Sequence, residues 1–200
     1  YDEEVRKGNF KSNADKIQTF ELLNKNILIA GFGRIGKKLI SRCLAFDTNV
    51  YIYDPYVDEK IIKKFGGIKV DKIEDGLKKA DYVSLHMPLT NETKNLINYS
   101  VLKTMKKNSI IINTARGGII NELELEKALN EGLIFGAALD VFSKEPVEKD
   151  NPLLKNKKVI LSPHSATFTD ECTSRMGIET TKNIIDFFEN KIDKSMIVKL

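Results

Sequence analysis

The feature that most constrains the fold is an apolar run that leads directly into three glycines at a fixed spacing. The run spans residues 26–30, and Gly31, Gly33 and Gly36 follow it in the pattern Gly-x-Gly-x-x-Gly. Apolar residues then recur at the spacing of one helix face, beginning at Ile35. This order predicts a strand, a tight turn and a helix.

The glycine spacing and one carboxylate together predict a dinucleotide site. Gly31 would permit the turn, Gly33 would let the backbone approach a pyrophosphate, and Gly36 would let the helix pack closely on the strand. Asp54 ends the next apolar run, roughly 20 residues further on, where a carboxylate binds the ribose hydroxyls and repels the additional phosphate of NADP. We therefore predict NAD as the cofactor.

Composition is typical of an ordinary globular domain. The 200 residues are 42% hydrophobic and 30% charged, and no apolar run approaches the ~20 residues of a membrane helix. The net charge of +4 comes from lysines mixed with carboxylates, which favours a solvated surface over a nucleic-acid site. Cys43 and Cys172 form neither a disulfide framework nor a metal-ligand spacing. We expect a cytoplasmic protein without a metal, a nucleic-acid partner or a membrane partner.

Strand-like and helix-like segments alternate along the chain. The predicted strands are residues 26–30, 49–53, 68–70, 82–85, 109–113, 135–139 and 159–161. Helices are expected between them, one with Asn121 and Glu124 at the spacing of a capping box and a final long one capped by Thr169. The alternation implies parallel pairing with right-handed crossovers. The predicted fold class is α/β, a doubly wound parallel sheet of the Rossmann type with about seven strands.

Ligands of open α/β sheets bind beyond the carboxyl ends of the strands, and this rule selects a small set of residues. They are the glycine turn, Asp54, His86, Met87, Pro88, Thr114, Ala115, Arg116, Asp140 and His164. We expect them to form one rim along the sheet.

Three side chains near this rim are candidates for chemistry. Arg116 is one of only five arginines, and in its glycine-rich turn it would either bind a carboxylate or form a structural ion pair. Both histidines of the chain belong to the rim, which favours proton transfer at His164, whereas His86 is better explained as lining the cofactor cleft. Glu145 would stabilise an imidazolium if it reaches His164, and is otherwise an ordinary loop glutamate.

Five motifs in this order resemble the NAD-dependent D-isomer-specific 2-hydroxyacid dehydrogenases. They are GFGRIG at 31–36, HMPLT at 86–90, NTARGG at 113–118, GAALDVF at 136–142 with the Glu145-Pro146 pair, and SPH at 162–164. The resemblance implies an oxidoreductase that transfers hydride between NAD and a small D-2-hydroxy acid. D-3-phosphoglycerate is the first candidate, which would place the protein in serine biosynthesis, and a homodimer is expected.

The resemblance also implies roles for individual residues. Arg116 would bind the substrate carboxylate and carbonyl, His164 would be the acid/base, and Glu145 would orient His164 and raise its pKa. The implied cofactor contacts are Arg34 and Ile35 at the pyrophosphate, with Thr114, Ala115 and Asp140 beside the nicotinamide.

Two departures from the family pattern shape our expectations. Family members carry a separate substrate lobe, of which this chain shows only the lead-in at residues 5–10. We therefore expect residues 1–166 to form the NAD-binding domain and 167–200 a returning helix, with an apolar stripe left partly uncovered and with little or no turnover by the chain alone. Residues 165–167 read Ser-Ala-Thr where many relatives carry Ile-Gly, and the hydroxyl there would reach the cofactor or cap the next helix.

Two other functions are compatible with part of the pattern. An NAD-sensing transcriptional corepressor uses the same fold and the same three residues, but would bind partner peptides and dimerise with NAD. A methyltransferase-like nucleotide fold would use the glycine turn alone and leaves Arg116, Glu145 and His164 unexplained.

Overall fold

Seven parallel strands form one sheet at the centre of the computed structural model, which describes residues 2–9, 19–194 and 197. The strands are β1 (Asn26–Ala30), β2 (Asn49–Tyr53), β3 (Ile68–Lys69), β4 (Tyr82–Leu85), β5 (Ile110–Asn113), β6 (Gly136–Leu139) and β7 (Val159–Leu161). Their order across the sheet is β3-β2-β1-β4-β5-β6-β7, and every neighbouring pair is parallel. The predicted doubly wound α/β sheet of seven strands is confirmed.

The helices of the described residues are α1 (Asp2–Arg6), α2 (Arg34–Leu44), α3 (Glu59–Lys64), α4 (Ile73–Lys79), α5 (Tyr99–Leu102), α6 (Glu122–Asn130) and α7 (Asp170–Phe188), with a 3-10 turn at Pro152–Lys155. Helices α2 to α6 lie between successive strands, α1 precedes β1 and α7 follows β7. Residues 20–23, between the lead-in motif and β1, form no helix, and Phe10, which ends the lead-in motif, lies outside the described residues. So do residues 195–196 and 198–200 of the expected returning segment.

Two hydrophobic layers cover the central strands, one on each face of the sheet. In β1, Leu28 and Ala30 belong to the larger cluster, whereas Ile27 and Ile29 belong to the smaller one. Alternate residues of a strand point to opposite faces, so this division shows that β1 is buried on both sides. Each of Ile27, Leu28 and Ile29 contributes roughly 1.5–3 kcal/mol by leaving water.

The predicted capping box at the start of α6 forms only in part. The Asn121 side chain accepts a hydrogen bond from Glu124 N at 3.2 Å, as predicted. The Glu124 carboxylate instead accepts from Tyr99 N, and Asn121 N donates to Ile97 O at 2.9 Å. The carbonyl of Ile97 satisfies the donor that Glu124 would have capped, so the glutamate is free to hold the start of α5.

Strands β1 to β3 are added towards one edge of the sheet and β4 to β7 towards the other, so the strand order reverses between β1 and β4. This is the topological switch point where this fold binds ligands. Gly31 N donates to Tyr53 O at 2.8 Å, and His86 N donates to Ala30 O at 2.7 Å. The ends of β1, β2 and β4 are therefore held together by backbone hydrogen bonds. The glycine turn, which follows β1, lies between the ends of β2 and β4.

Helix α7 has 19 residues, and none of them is buried. The apolar stripe that the sequence predicts includes Met176, Ile184 and Phe188, and all three are exposed. Among the described residues, none of the helices has both the length and the apolar character that crossing a bilayer requires.

Candidate functional site

The three glycines of the turn differ in how much space surrounds them. Gly31 has a φ of 102°, and a Cβ there would lie 2.4 Å from the carbonyl oxygen of His86. A Cβ at Gly36 would lie 2.3 Å from the carbonyl oxygen of Gly31. A Cβ at Gly33 would meet no atom within 4 Å, and its φ of −73° suits any residue. Gly31 and Gly36 are thus required by packing, whereas Gly33 leaves open space in front of α2.

The start of α2 is electrostatically suited to an anion. No acidic residue lies in its first turn, which begins at Arg34, and Gly33 offers no side-chain cap to its free N–H groups. The helix dipole adds positive potential at this end. Arg34 and Ile35 are both exposed there, with Ile35 64% exposed.

A cleft of about 270 Å³ lies between the glycine turn and the ends of β2 and β4. Its walls include Gly31, Gly33, Asp54, Tyr56, His86, Met87 and Pro88. The sequence placed all of these except Tyr56 at the cofactor. It did not select the other residues that line the cleft, which are Tyr53, Pro55, Thr90, Glu92, Thr93 and Leu96.

Asp54 joins the two loops that border this cleft. Its Oδ2 atom accepts a hydrogen bond from Phe32 N at 2.7 Å, and its Oδ1 atom accepts from Tyr56 N at 2.9 Å. Each carboxylate oxygen has a further lone pair, so these contacts leave acceptor capacity for ribose hydroxyls.

His86 is held by a neighbour on the same strand end. Its Nε2 atom lies 2.8 Å from Ser84 Oγ. Burial lowers the pKa of His86 below its ordinary value, because the charged imidazolium is poorly solvated there. A neutral imidazole that lines the cleft agrees with the interpretation drawn from the sequence.

The turn that carries Arg116 is shaped by a buried asparagine. Asn113 Oδ1 accepts from Ala115 N at 3.0 Å, and Asn113 Nδ2 donates to Arg116 O at 2.9 Å. Thr114 and Arg116 are exposed, and the Arg116 guanidinium donates to Ala115 O at 2.6 Å. The backbone of the turn is fixed while its guanidinium remains accessible.

His164 and Glu145 form a hydrogen-bonded pair beyond the ends of β6 and β7. His164 Nδ1 lies 2.7 Å from Glu145 Oε2, with side chains 51% and 36% exposed. Glu145 Oε1 accepts from Phe142 N at 2.9 Å. The hydrogen bonds from His164 and from Phe142 N lower the pKa of Glu145 below its ordinary value. The carboxylate is therefore ionised at neutral pH and leaves His164 Nε2 as the ring nitrogen available to a ligand.

Asp140 anchors the turn on which His164 lies. Its carboxylate, 4% exposed, accepts from Ser165 N at 2.9 Å, Ala166 N at 3.0 Å and the Ser162 hydroxyl. Burial pushes the pKa of Asp140 upward, but the hydrogen bonds outweigh burial and the pKa lies below its ordinary value. His164 N also donates to Asp140 O at 2.8 Å, and His164 has a φ of 52°. This left-handed conformation is uncommon for a residue with a side chain, and Asp140 holds it from two directions.

The structure brings some of the predicted site residues together and not others. It joins Glu145 to His164, and it gathers the glycine turn, Asp54 and residues 86–88 around one cleft. Among the described residues, no hydrogen bond or ion pair joins Arg116 to either member of the pair. All of these residues follow strands of one parallel sheet, so they lie along its carboxyl edge.

Sequence reasoning missed several residues that support the site. Asn113 shapes the Arg116 turn, Ser84 contacts His86, and Glu122 holds the loop that carries Glu145. A buried asparagine at a strand end is a recognisable signal, because its side chain must satisfy a nearby turn. No local signal marks Glu122, since its partner is 21 positions away.

NAD fits the arrangement of these residues. Gly33 leaves the space that a pyrophosphate would fill, the start of α2 supplies N–H donors, and Asp54 keeps free acceptor capacity for a ribose. A carboxylate at this position disfavours the additional phosphate of NADP.

Comparisons with known proteins agree with this fit. A family model described as "D-isomer specific 2-hydroxyacid dehydrogenase, NAD binding domain" matches residues 1–166. D-3-phosphoglycerate dehydrogenase of Methanocaldococcus jannaschii is 39% identical over 182 residues, which cover 91% of this chain and 34% of that protein. Glyoxylate reductase of Aeropyrum pernix is 40% identical over 177 residues, which cover 88% of this chain and 52% of that protein.

Solved structures give the same picture. D-lactate dehydrogenase from Aquifex aeolicus, complexed with NAD and lactic acid, matches with a TM-score of 0.84 at 31% identity, over 95% of this chain and 61% of that one. The chain thus spans between about a third and a half of the length of the curated relatives named above.

Proposed function

The chain belongs to the D-isomer specific 2-hydroxyacid dehydrogenases as their NAD-binding domain, and on that basis we propose that it supports hydride transfer between NAD and a small D-2-hydroxy acid or 2-oxo acid. The observation that carries the proposal is the contact of 2.7 Å between His164 Nδ1 and Glu145 Oε2, at the same sheet edge as the glycine turn. A general acid/base that is oriented by a carboxylate is what an alcohol-to-ketone oxidation requires.

The protein's own residues would bind the substrate and move its proton. In oxidation, His164 Nε2 takes the hydroxyl proton as the carbon releases hydride, and in reduction it returns that proton to the oxygen. Glu145 stabilises the imidazolium that forms. NAD, when bound, supplies the hydride acceptor, and the fold positions it.

Arg116 would bind the carboxylate of the substrate. Its guanidinium is exposed and contacts the carbonyl oxygen of Ala115, so it can reorient towards a ligand without leaving a buried partner unsatisfied. A guanidinium matches a carboxylate in two-pronged geometry and also offsets charge that develops on the reacting oxygen.

We propose residues 1–166 as the cofactor domain and 167–200 as a returning segment. Arg116, Glu145 and His164 are all exposed, and hydride transfer is favoured by a site from which water is excluded. We therefore expect the 200 residues to bind NAD with little turnover unless a second surface covers these side chains.

The substrate is proposed from the relatives. Two of them are named for D-3-phosphoglycerate and glyoxylate chemistry, so phosphoglycerate is our first candidate and glyoxylate our second. A homodimer is proposed from the family resemblance, and sedimentation of the chain with and without NAD would test it.

Oxidation of NADH by the intact protein, meaning these residues together with the substrate lobe that the family resemblance implies, tests the proposed reaction. We expect absorbance loss at saturable rates with at least one of glyoxylate, pyruvate, hydroxypyruvate and phosphohydroxypyruvate, and loss of that rate in His164→Ala. NADH binding without turnover of any of these acids would contradict the proposal and favour a binding protein of the corepressor type.

A further inference from the structure

We propose that Glu122 is a positioning residue for the pair of Glu145 and His164, because its carboxylate fixes the loop on which Glu145 lies. The inference rests on the proposed function, since it assigns the pair its role in proton transfer. It adds a residue that acts through Glu145 and touches neither cofactor nor substrate.

Glu122 reaches across to a loop that is distant in sequence. It is the first residue of α6 and is half-buried. Its Oε1 atom accepts from Ser143 Oγ at 2.6 Å and also from Ser143 N. Its Oε2 atom accepts from Asn151 Nδ2 at 2.7 Å. Both carboxylate oxygens are therefore used on the two sides of the loop that follows β6.

The contact with Ser143 bears directly on Glu145. Phe142 N donates to Glu145 Oε1 at 2.9 Å, and Ser143 N, the next donor along the backbone, donates to Glu122. Two carboxylates thus hold two consecutive N–H groups of one turn. A shift of the Ser143 peptide would also tilt the Phe142 peptide, and Glu145 would lose the alignment that places its other oxygen against His164.

The same turn is braced from the Arg116 side. A Cβ at Gly117 would lie 1.7 Å from the carbonyl oxygen of Phe142, so the backbone after Arg116 packs directly on this peptide. Glu122 is the first residue of α6, the helix that follows the turn carrying Arg116. It therefore couples the segment that carries the substrate-binding arginine to the segment that carries Glu145.

Different charged groups lie near the carboxylates of Glu122 and Glu145. Lys144, Glu148 and Asp150 line the cavity of about 400 Å³ that Glu122 also borders, and Lys144 pairs with Glu148. His164 and Asp140 are the charged groups that act on Glu145. The hydrogen bonds to Glu122 come from the uncharged Ser143 and Asn151.

Two substitutions separate the reach of Glu122 from its charge. Glu122→Gln keeps the length and an acceptor oxygen for Ser143 but removes the charge, and it replaces the oxygen that accepts from Asn151 Nδ2 with an amide donor. Glu122→Asp keeps the charge at the start of α6 but withdraws the oxygen from Ser143. A charge effect would be preserved in Asp and lost in Gln, whereas a positioning contact is preserved in Gln and lost in Asp.

The readout is the titration of the Glu145 side-chain carboxyl, followed by carbon-13 NMR in the NAD-free 200-residue chain. Loss of alignment with His164 and Phe142 N would raise the pKa of Glu145 towards its ordinary value. We expect His164→Ala to raise the titration midpoint, and Glu122→Asp to raise it by at least half as much. Glu122→Gln should move the midpoint by less than a quarter of the His164→Ala shift. Glu126→Gln, on the same helix, should not move the midpoint.

The outcomes separate this inference from the proposed function. If His164→Ala raises the midpoint and Glu122→Asp does not, Glu122 has no positioning role while the pair stands. If His164→Ala leaves the midpoint unchanged, the pair itself fails and both proposals fall. A midpoint that falls in Gln and stays in place in Asp would mean that the charge acts and the contact does not, because a nearby negative charge raises the pKa of a carboxyl.

Discussion

His164 Nδ1 and Glu145 Oε2 lie 2.7 Å apart although 19 positions separate the two residues in the chain. They meet because β6 and β7 are parallel neighbours, so the loops that follow them leave the sheet side by side. The carboxylate fixes which ring nitrogen is occupied, and the other nitrogen is left for proton transfer.

A side chain at Gly33 should weaken cofactor binding much more than it destabilises the fold. Gly33→Ala should cost no more than about 1 kcal/mol of unfolding free energy, the order of the loss when alanine replaces a good N-cap residue. The new methyl group enters space where the pyrophosphate would lie, so we expect NADH affinity to fall at least roughly tenfold, about 1.4 kcal/mol. Urea unfolding and NADH fluorescence titration measure the two effects.

Gly31→Ala and Gly177→Ala are the matched controls for that substitution. Gly31→Ala should destabilise the chain by roughly 2 kcal/mol or more, because of its positive φ and the His86 carbonyl. Gly177→Ala, in open space on α7, should leave NADH affinity unchanged. Unchanged affinity in Gly33→Ala would contradict this placement of the cofactor.

Asp54 should determine the preference for NAD over NADP. Asp54→Ala removes the carboxylate that would repel the additional phosphate, so we expect the ratio of NADP to NAD dissociation constants to fall at least tenfold, or about 1.4 kcal/mol. It also removes the hydrogen bond from Phe32 N, which should weaken NAD binding itself. Asp58→Ala, at the exposed N-cap of α3, is the control and should leave the ratio unchanged. A ratio that is constant in both variants would remove Asp54 from cofactor selection.

Arg116 should affect turnover and not cofactor binding. Arg116→Ala in the intact protein should lower kcat/KM for the 2-oxo acid by roughly 100-fold or more, in the range seen when a preorganised donor is removed from an active site. The dissociation constant of NADH should change less than about twofold, well under 1 kcal/mol. Arg175→Ala, on α7, should alter neither value. An equal loss of NADH affinity in Arg116→Ala would place this arginine at the cofactor instead.

Asp140 gives a pH dependence of stability with a defined sign. Its folded-state pKa is depressed, so its contribution is fully present above the pKa of the unfolded chain and is lost as pH falls through the folded value. Asp140→Asn should therefore cost about 1–3 kcal/mol at pH 7, the range for buried hydrogen bonds to a charged group. The difference from the parent chain should shrink as the pH is lowered below 4.

Urea unfolding at several pH values measures this effect. Asp150→Asn, which alters an exposed aspartate, should show no such dependence. If Asp140→Asn loses as much unfolding free energy below pH 4 as at pH 7, the charge of the carboxylate is not what holds the His164 turn.

The sheet could be predicted from the sequence because it follows from local patterns, and the candidate site residues follow from the predicted strand ends. Apolar runs and glycine punctuation mark the strands, and the rule that ligands bind at strand ends then selects His86, Arg116 and His164. The alternation of strands and helices predicted the parallel, doubly wound class of the sheet, whereas the strand order is known from the structure. These inferences needed only short windows of sequence.

The side-chain contacts within the site could not be predicted in the same way. Asp140 was selected as a strand-end residue, but its carboxylate contacts the backbone of residues 165 and 166. Glu122 contacts Ser143 across 21 positions. Such contacts depend on loop conformations that the packed sheet determines, and no spacing in the sequence encodes them.

One measurement tests whether NAD reaches from the glycine turn to the pair of His164 and Glu145. It is possible because the chain has only two histidines. His86 lines the cleft beside the glycine turn and His164 lies beyond β7, three strands away in the sheet or about 14 Å at the usual strand spacing. In the NMR spectrum of the chain with nitrogen-15 histidine, NAD should shift both imidazole signals with the same dissociation constant, whereas AMP should shift only that of His86. A titration in which NAD saturates while the His164 signal stays in place would contradict a dinucleotide that runs from the glycine turn to the pair of His164 and Glu145.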